Sequence, residues 1–302
     1  MASLNALIQR WLNRYATPNA AALAAASGLR PVVVVSGGSE GIGQAIARSF
    51  SSDGRSVLLV ARDEGKLAST AAAMRVETGG TIDTLPLDIT EPSAAERIAD
   101  HVARAGGYVD ILVNNAGIGL SGPFVTLEPR EVERLLALNV TALTRMTRAF
   151  LPAMLARAKG GVINIASLGG YAPGPYQAAY YASKAYVLSL SEAISHEVRG
   201  QGVRVLAVAP GPVNTDFHKK MGSDRALYRY FVIPVSSDRV ARSTMLAYRL
   251  GRRISRPGIL SPLLLWSLRI IPHNFTVPLV GLLLWRPQTL ATDEIAVERP
   301  PK

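Results

Sequence analysis

The sequence predicts an α/β fold: a doubly wound, Rossmann-type parallel sheet with helices on both faces. Three observations predict it. Short apolar runs rich in Val and Ile recur from residue 31 onward, each followed by a longer stretch of helical periodicity. These runs do not alternate apolar with polar residues, so they suit strands covered on both faces. The first run, Val32-Val33-Val34-Val35, leads straight into Ser36-Gly37-Gly38-Ser39-Glu40-Gly41-Ile42-Gly43, a turn nearly bare of large side chains.

In chain order, Leu4, Leu7, Ile8, Trp11, Leu12 and Tyr15 form one apolar stripe on a helix over residues 1–16, which Pro18 ends. With the alanines at 20–26, residues 1–30 read as an amphipathic helical extension packed on the domain's own surface. Gln9 and Arg10 interrupt any secretory signal; arginines without acids before Glu40 leave organellar targeting open beside a cytoplasmic location. Strands are expected at 32–36, 56–60, 81–87, 109–113, 161–166 and 203–209, and helices at 41–52, 64–77, 92–105, 129–157 and 178–198. Residues 31–250 thus read as one doubly wound domain, with right-handed crossovers.

Residues 251–302 read as a basic and apolar extension, with apolar clusters at 259–266 and 277–285, and arginines at 249, 252, 253 and 256 beside it. Neither cluster reaches the ~20 residues that span a bilayer. The last dozen or so residues are polar and expected to fray.

The chain has 302 residues, 48% of them hydrophobic, enough for a substantial core. It has no cysteine, which excludes disulfides, thiolate catalysis and zinc–sulfur sites, and no metal is expected. A net charge of +11 favours anionic partners: nucleic acid, membrane surface or phosphorylated ligands.

In a doubly wound sheet the first strand-to-helix turn faces the nucleotide crevice. Gly37 turns the chain off the strand, Gly41 lets backbone N–H groups approach a pyrophosphate, and Gly43 lets the helix pack on the sheet. Further on, Tyr180 and Lys184 lie four apart on a predicted helix and share one face. An ammonium there stabilises a phenolate and pulls the phenol pKa from about 10 toward the working range.

Together these segments resemble the short-chain dehydrogenase/reductase family over residues 31–250. The family's Thr-Gly-x-x-x-Gly-x-Gly has its counterpart in Ser36 to Gly43, its Asn-Asn-Ala-Gly in Asn114 to Gly117, and its Pro-Gly-x-x-x-Thr in Pro210 to Thr215. Ser167 precedes Tyr180 by the 13 residues that the family uses. The resemblance implies an oxidoreductase that interconverts a ketone and a secondary alcohol. Tyr180 is then the proton donor or acceptor, Ser167 steadies the carbonyl oxygen, Lys184 lowers the tyrosine pKa and holds the nicotinamide ribose, and Asn139 anchors a water relay. It implies a cofactor site from Ser36, Gly37, Ser39, Glu40, Gly41, Ile42, Gly43, Arg62, Lys66, Asp88 (at adenine), Asn115, Tyr180, Lys184, Val213 and Thr215. NAD-preferring relatives carry an aspartate after the second strand; here Val60-Ala61-Arg62 offers a guanidinium, with Lys66 one turn on, so NADP(H) is expected. Glu40 should point to solvent or pair with a cation.

The segment Asp216 to Val235 falls at the family's substrate lid and carries Phe217, Met221, Tyr228, Tyr230 and Phe231 beside His218, Lys219 and Lys220. Tyr171 and Tyr176 fall where relatives line the pocket. The tail resembles those of lipid-directed members such as ketosphinganine and very-long-chain ketoacyl reductases. The expected partners are a hydrophobic carbonyl or alcohol substrate, a membrane surface and further copies of the chain, without nucleic acid. Two other classes compete: a catalytically silent NADP-binding regulator, which would bind NADPH without turnover, and a basic nucleic-acid binder, which would show salt-steep affinity.

Overall fold

The computed structural model describes residues 2–223, 226–228, 233–258 and 272–285. The apolar cluster 259–266, Tyr230, Phe231 and the polar last dozen residues lie outside the described residues, as does the side chain of Leu4.

The sheet has seven strands: β1 Arg30–Ser36, β2 Ser56–Ala61, β3 Ile82–Pro86, β4 Gly107–Asn114, β5 Gly160–Ile165, β6 Val203–Val208 and β7 Ile254–Ser255. Their order is β3-β2-β1-β4-β5-β6-β7, and every pairing is parallel. The first six were expected within a few residues. The two-residue β7 was not, because a pair such as Ile-Ser carries no pattern of its own.

Alternation along β1 explains both layers. Val33 and Val35 enter one core with Leu59, Ile111 and Val113, under α3 (Gly41–Ser52) and α4 (Glu64–Thr78). Val32 and Val34 enter the other with Leu58, Val60 and Leu112, under α5 (Ala94–Arg104) and α7 (Leu143–Ala156). Side chains on a strand point alternately to its two faces, so an unbroken valine run fills both. The chain order reverses between β1 and β4, which opens the crevice at their carboxyl ends.

The helix expected over 129–157 is interrupted. Between α6 (Pro129–Leu136) and α7, residues Ala137–Ala142 form a wider π turn that contains Asn139. Such turns insert one residue and re-aim the side chains around them.

The amino-terminal extension folds as α1 (Ala2–Leu12) and α2 (Ala20–Ala26). It is tied down by backbone bonds, Tyr15 N to Gly200 O at 2.8 Å and Gly202 N to Leu12 O at 2.9 Å. The expected burial of its whole stripe is corrected: Leu12 is buried, but Leu7, Trp11 and Tyr15 are exposed. Trp11 instead packs under guanidinium groups, with Arg14 at 4.5 Å and Arg199 at 5.0 Å from its ring centre.

Candidate active site

A groove of about 1560 Å³ runs along the carboxyl edge of the sheet. At one end lie Gly37, Ser39, Glu40, Gly41, Ile42, Arg62, Lys66 and Asp88; Asn115, Val213 and Thr215 line its middle; Ser167, Tyr180 and Lys184 lie further along. Residues as far apart in the chain as Gly37 and Leu284 thus share one continuous space, because strand ends and the loops after them meet at this edge.

Three residues of the expected set do not line it. Ser36 is buried, and its hydroxyl donates to Val113 O at 3.3 Å and accepts from Asn115 N and Ala116 N. It ties β1 to β4 at the reversal point. Gly43 is buried beneath the turn, where a Cβ would collide with Asn115 and the Gly37 carbonyl. Asn139, also buried, exchanges two bonds with the Ile118 backbone, at 3.0 and 2.8 Å, and donates to Ser183 Oγ at 3.1 Å.

The glycine turn is built for a close approach. Gly37 and Gly41 have φ of 63° and 59°, in the left-handed region that glycine adopts without strain. A Cβ on Gly37 would come within 3.0 Å of the Ala116 backbone. Backbone and space here fit a pyrophosphate laid on the first turn of α3.

The charged end is organised by pairs. Arg62 Nη1 lies 3.9 Å from Asp88 Oδ2. Glu40 takes both Lys66 and Lys220, one on each carboxylate oxygen. Burial alone would raise the Glu40 carboxyl, but the two lysines outweigh it and hold it below the usual range. Glu40 therefore pairs with two cations, and one of them, Lys220, comes from the short helix Phe217–Met221. The link between the cofactor turn and that helix was not legible in sequence.

At the other end Tyr180 is buried on α8 (Ala178–Glu197), with its ring 5.7 Å from that of Phe217. Burial pushes its phenol up to about 12, although a hydrogen bond with Ser167 opposes this. Lys184, fully buried, donates to Ile165 O at 2.8 Å, and burial pushes its ammonium down to about 8. Burial, and not the lysine, sets the direction of the tyrosine's shift in this site. The Lys184 nitrogen is 5.8 Å from the Tyr180 ring centre, and desolvation of both groups dominates. Tyr181 also lines the groove, and burial raises it more than Tyr180.

Beyond Tyr180 the wall is apolar. Phe217, His218, Met221 and Tyr228 line it as expected, but Tyr171 and Tyr176 do not. Tyr171 accepts from Arg256 Nε at 3.1 Å, and Tyr176 is partly exposed at a φ of 64°. Their place is taken by Leu279, Val280, Leu283 and Leu284 from the helix His273–Leu284. The sequence describes this cluster as apolar and too short to span a bilayer. One face of it meets the domain: Val280 and Leu284 are buried, and Leu227 N bonds Trp285 O at 3.3 Å. Among the described residues no helix is long and apolar enough to cross a membrane, and no cluster of acids and histidines could hold a metal.

Fold and site together define a doubly wound α/β protein with a Ser-Tyr-Lys constellation at the carboxyl edge of its sheet. The profile of the short chain dehydrogenases matches residues 31–226. The chain belongs to that family. A short chain dehydrogenase of Pseudocercospora fijiensis is 40% identical over 186 residues, 61% of this chain and 60% of its own. The ketoacyl reductase HetN of a Nostoc species is 33% identical, over 60% of this chain and 63% of its own. The match thus spans less than two thirds of the length of either. Among solved structures, a Sphingobium yanoikuyae short-chain dehydrogenase in complex with NADPH superposes with a TM-score of 0.69 at 30% identity, covering 80% of this chain and 96% of its own. A Burkholderia phymatum relative in complex with NAD gives 0.73 at 26%, covering 80% and 93%. The shared fold therefore leaves the choice of dinucleotide to individual side chains.

Proposed function

We propose that the protein is an NADP(H)-dependent oxidoreductase that interconverts a hydrophobic ketone and its secondary alcohol. The observation that carries this reading is the single groove joining the glycine turn and Arg62 to Ser167, Tyr180 and Lys184. Gly37, Gly41 and the first turn of α3 would hold the pyrophosphate, Asp88 the adenine, and Lys184 the nicotinamide ribose. Arg62 is the fork for a 2′-phosphate, because β2 ends in Ala61 and not in an acid, while Asp63, two residues on, caps α4 by accepting from Lys66 N.

When bound, the nicotinamide supplies or accepts the hydride. Ser167 and Tyr180 hold the carbonyl oxygen between two hydroxyls, and Tyr180 gives it a proton or takes one from the alcohol. A phenol at about 12 stays protonated at neutral pH, so the proton is in place, but it is a weaker acid than a free phenol. Asn139, bonded to Ile118 and Ser183, fixes the strand-to-helix crossing beside Lys184 and is read as the positioning residue of a water relay.

The apolar far end, from Phe217 and Met221 to Leu283 and Leu284, supports a substrate with a long apolar portion. The outer face of the last helix supports work at a membrane surface. Phe275, Leu282 and Trp285 follow one another at helical spacing and are 68%, 58% and 45% exposed. A net charge of +11 adds attraction to anionic headgroups. Arg249 and Arg256 contribute less than the sequence implied, since they are engaged with Asp53 and Tyr171.

Loss of NADPH absorbance with a panel from small ketones to long-chain 3-keto lipids tests the reading. Turnover that rises with chain length is expected; NADPH binding without turnover across the panel would leave the silent regulator. Sedimentation with anionic vesicles, weakened by salt, tests the surface. If the protein stays in solution and doubles its mass instead, the same face joins two copies.

A further inference from the structure

We propose that a second cavity, on the opposite edge of the sheet, is a site for a small oxyanion that also carries a hydroxyl, hydrogenphosphate being the simplest. The cavity is about 610 Å³ and lies at the amino-terminal ends of β4, β5 and β6, where Asp110, Gly160 and Arg204 line it. Gln9, Asn13 and Leu23 of the amino-terminal extension form its other side. It shares no lining residue with the groove.

The register between β1 and β4 sets up its chemistry. Val32 pairs with Val109 and Val33 with Ile111, so Asp110 is an extra, bulged residue. Its side chain is 3% exposed, and Oδ2 accepts from Arg55 Nη1 at 3.1 Å, while Oδ1 is buried without a partner. Two further arginines line the cavity, each fixed by an aromatic ring. The Arg157 guanidinium is 4.5 Å from the Tyr108 ring centre and donates through Nη2 to Val109 O at 2.9 Å. Arg204 is 5.1 Å from the ring centre of Tyr248. The Nε of each is buried with no hydrogen bond.

Three guanidinium groups and Lys159 at the rim thus face one carboxylate. Buried N–H groups without acceptors are uncommon, and an excess of fixed like charge in a partly desolvated cavity favours an anion. Burial pushes the Arg157 guanidinium below its ordinary pKa, and the charges of Tyr108 and Asp110 oppose this. The guanidinium forks suit oxyanion acceptors. The unpaired Asp110 oxygen asks for a donor, which hydrogenphosphate has and sulfate lacks at neutral pH.

Calorimetric titration of the full chain with inorganic phosphate, and separately with sulfate, tests this. Saturable phosphate binding is expected, at least tenfold weaker for sulfate and at least tenfold weaker in Arg157→Gln and Arg204→Gln. Asp110→Asn, whose amide can donate, should erase the preference for phosphate. Folding of each variant is checked by its melting curve, and Lys159→Ala on the rim, expected to weaken binding severalfold, replaces any variant that does not fold. No saturable heat with the wild type would overturn the proposal, leaving a water-filled cavity. So would phosphate binding that survives both arginine substitutions, since the anion would then lie in the groove. Phosphatidylserine vesicles that bind through these arginines while soluble phosphate gives no response would also overturn it, in favour of a headgroup surface.

Discussion

The two halves of the groove are built by different means. The half at β1 to β3 presents backbone, glycines and a few charges, drawn mainly from residues 37–88 with Lys220 added from a distant helix. The half beyond β5 presents side chains from five separate stretches: Ser167, α8, the helix Phe217–Met221, Tyr228 and the helix His273–Leu284. A dinucleotide is an unchanging ligand, and short local geometry suffices to cradle it. A substrate wall is assembled from distant segments, each free to vary.

The sharpest way to break this division is at Tyr180. Tyr180→Phe should keep NADPH affinity in the first half and lose about 10²- to 10⁴-fold in turnover in the second; Tyr181→Phe should stay active in the same assay. The reverse pattern would falsify the assignment of the acid.

The same residue gives a pH signature. Its folded pKa of about 12 lies above the unfolded value of 10.0, so the folded state binds more protons between them. Stability is therefore lost as pH rises from about 10 toward 12, by roughly 3 kcal/mol from this group. Denaturant melts of the wild type across that window should fall more steeply than those of Tyr180→Phe; parallel curves would put the desolvated phenol in doubt.

Cofactor choice comes next. Arg62→Asp should raise the NADPH dissociation constant by about 10- to 100-fold, in line with the loss of a charge-assisted bond, and leave NADH unchanged or improved. Equal wild-type affinity for the two would remove Arg62 from the account.

In the substrate half, Leu283→Asp should raise KM about tenfold for a long-chain ketone and leave that of a small ketone nearly unchanged, because it removes apolar contact at the far wall. An equal effect on both would mean that the helix only supports the fold.

The smallest effect is expected where the halves touch. Glu40→Gln frees Lys66 and Lys220 from their shared carboxylate. Both lysines then face a 2′-phosphate unopposed, and a severalfold gain in NADPH affinity is expected from binding curves at low salt. A loss would show that Glu40 positions the lysines more than it competes for them.

How much of this was legible in sequence follows the same division. Val32 to Gly43 and Tyr180 to Lys184 are contiguous, and their periods and spacings fix strand, turn, helix face and family, so six strands and the groove's chemical poles could be read directly. What could not be read depends on distance in space. Burial sets the Tyr180 and Lys184 pKa values, and only the packed site shows that desolvation outweighs their mutual charge. Glu40 gains Lys220 across 180 positions. Tyr171 and Tyr176, placed by position in the pocket, yield to Leu279 and Leu283 from a tail helix that the sequence describes only as an apolar cluster too short to span a bilayer. The bulge that strands Asp110 among arginines leaves no mark on the residue pattern at all. Local chemistry was written in the chain; which distant surfaces meet was decided by folding, since the free energy of burial depends on the partner and not on the residue alone.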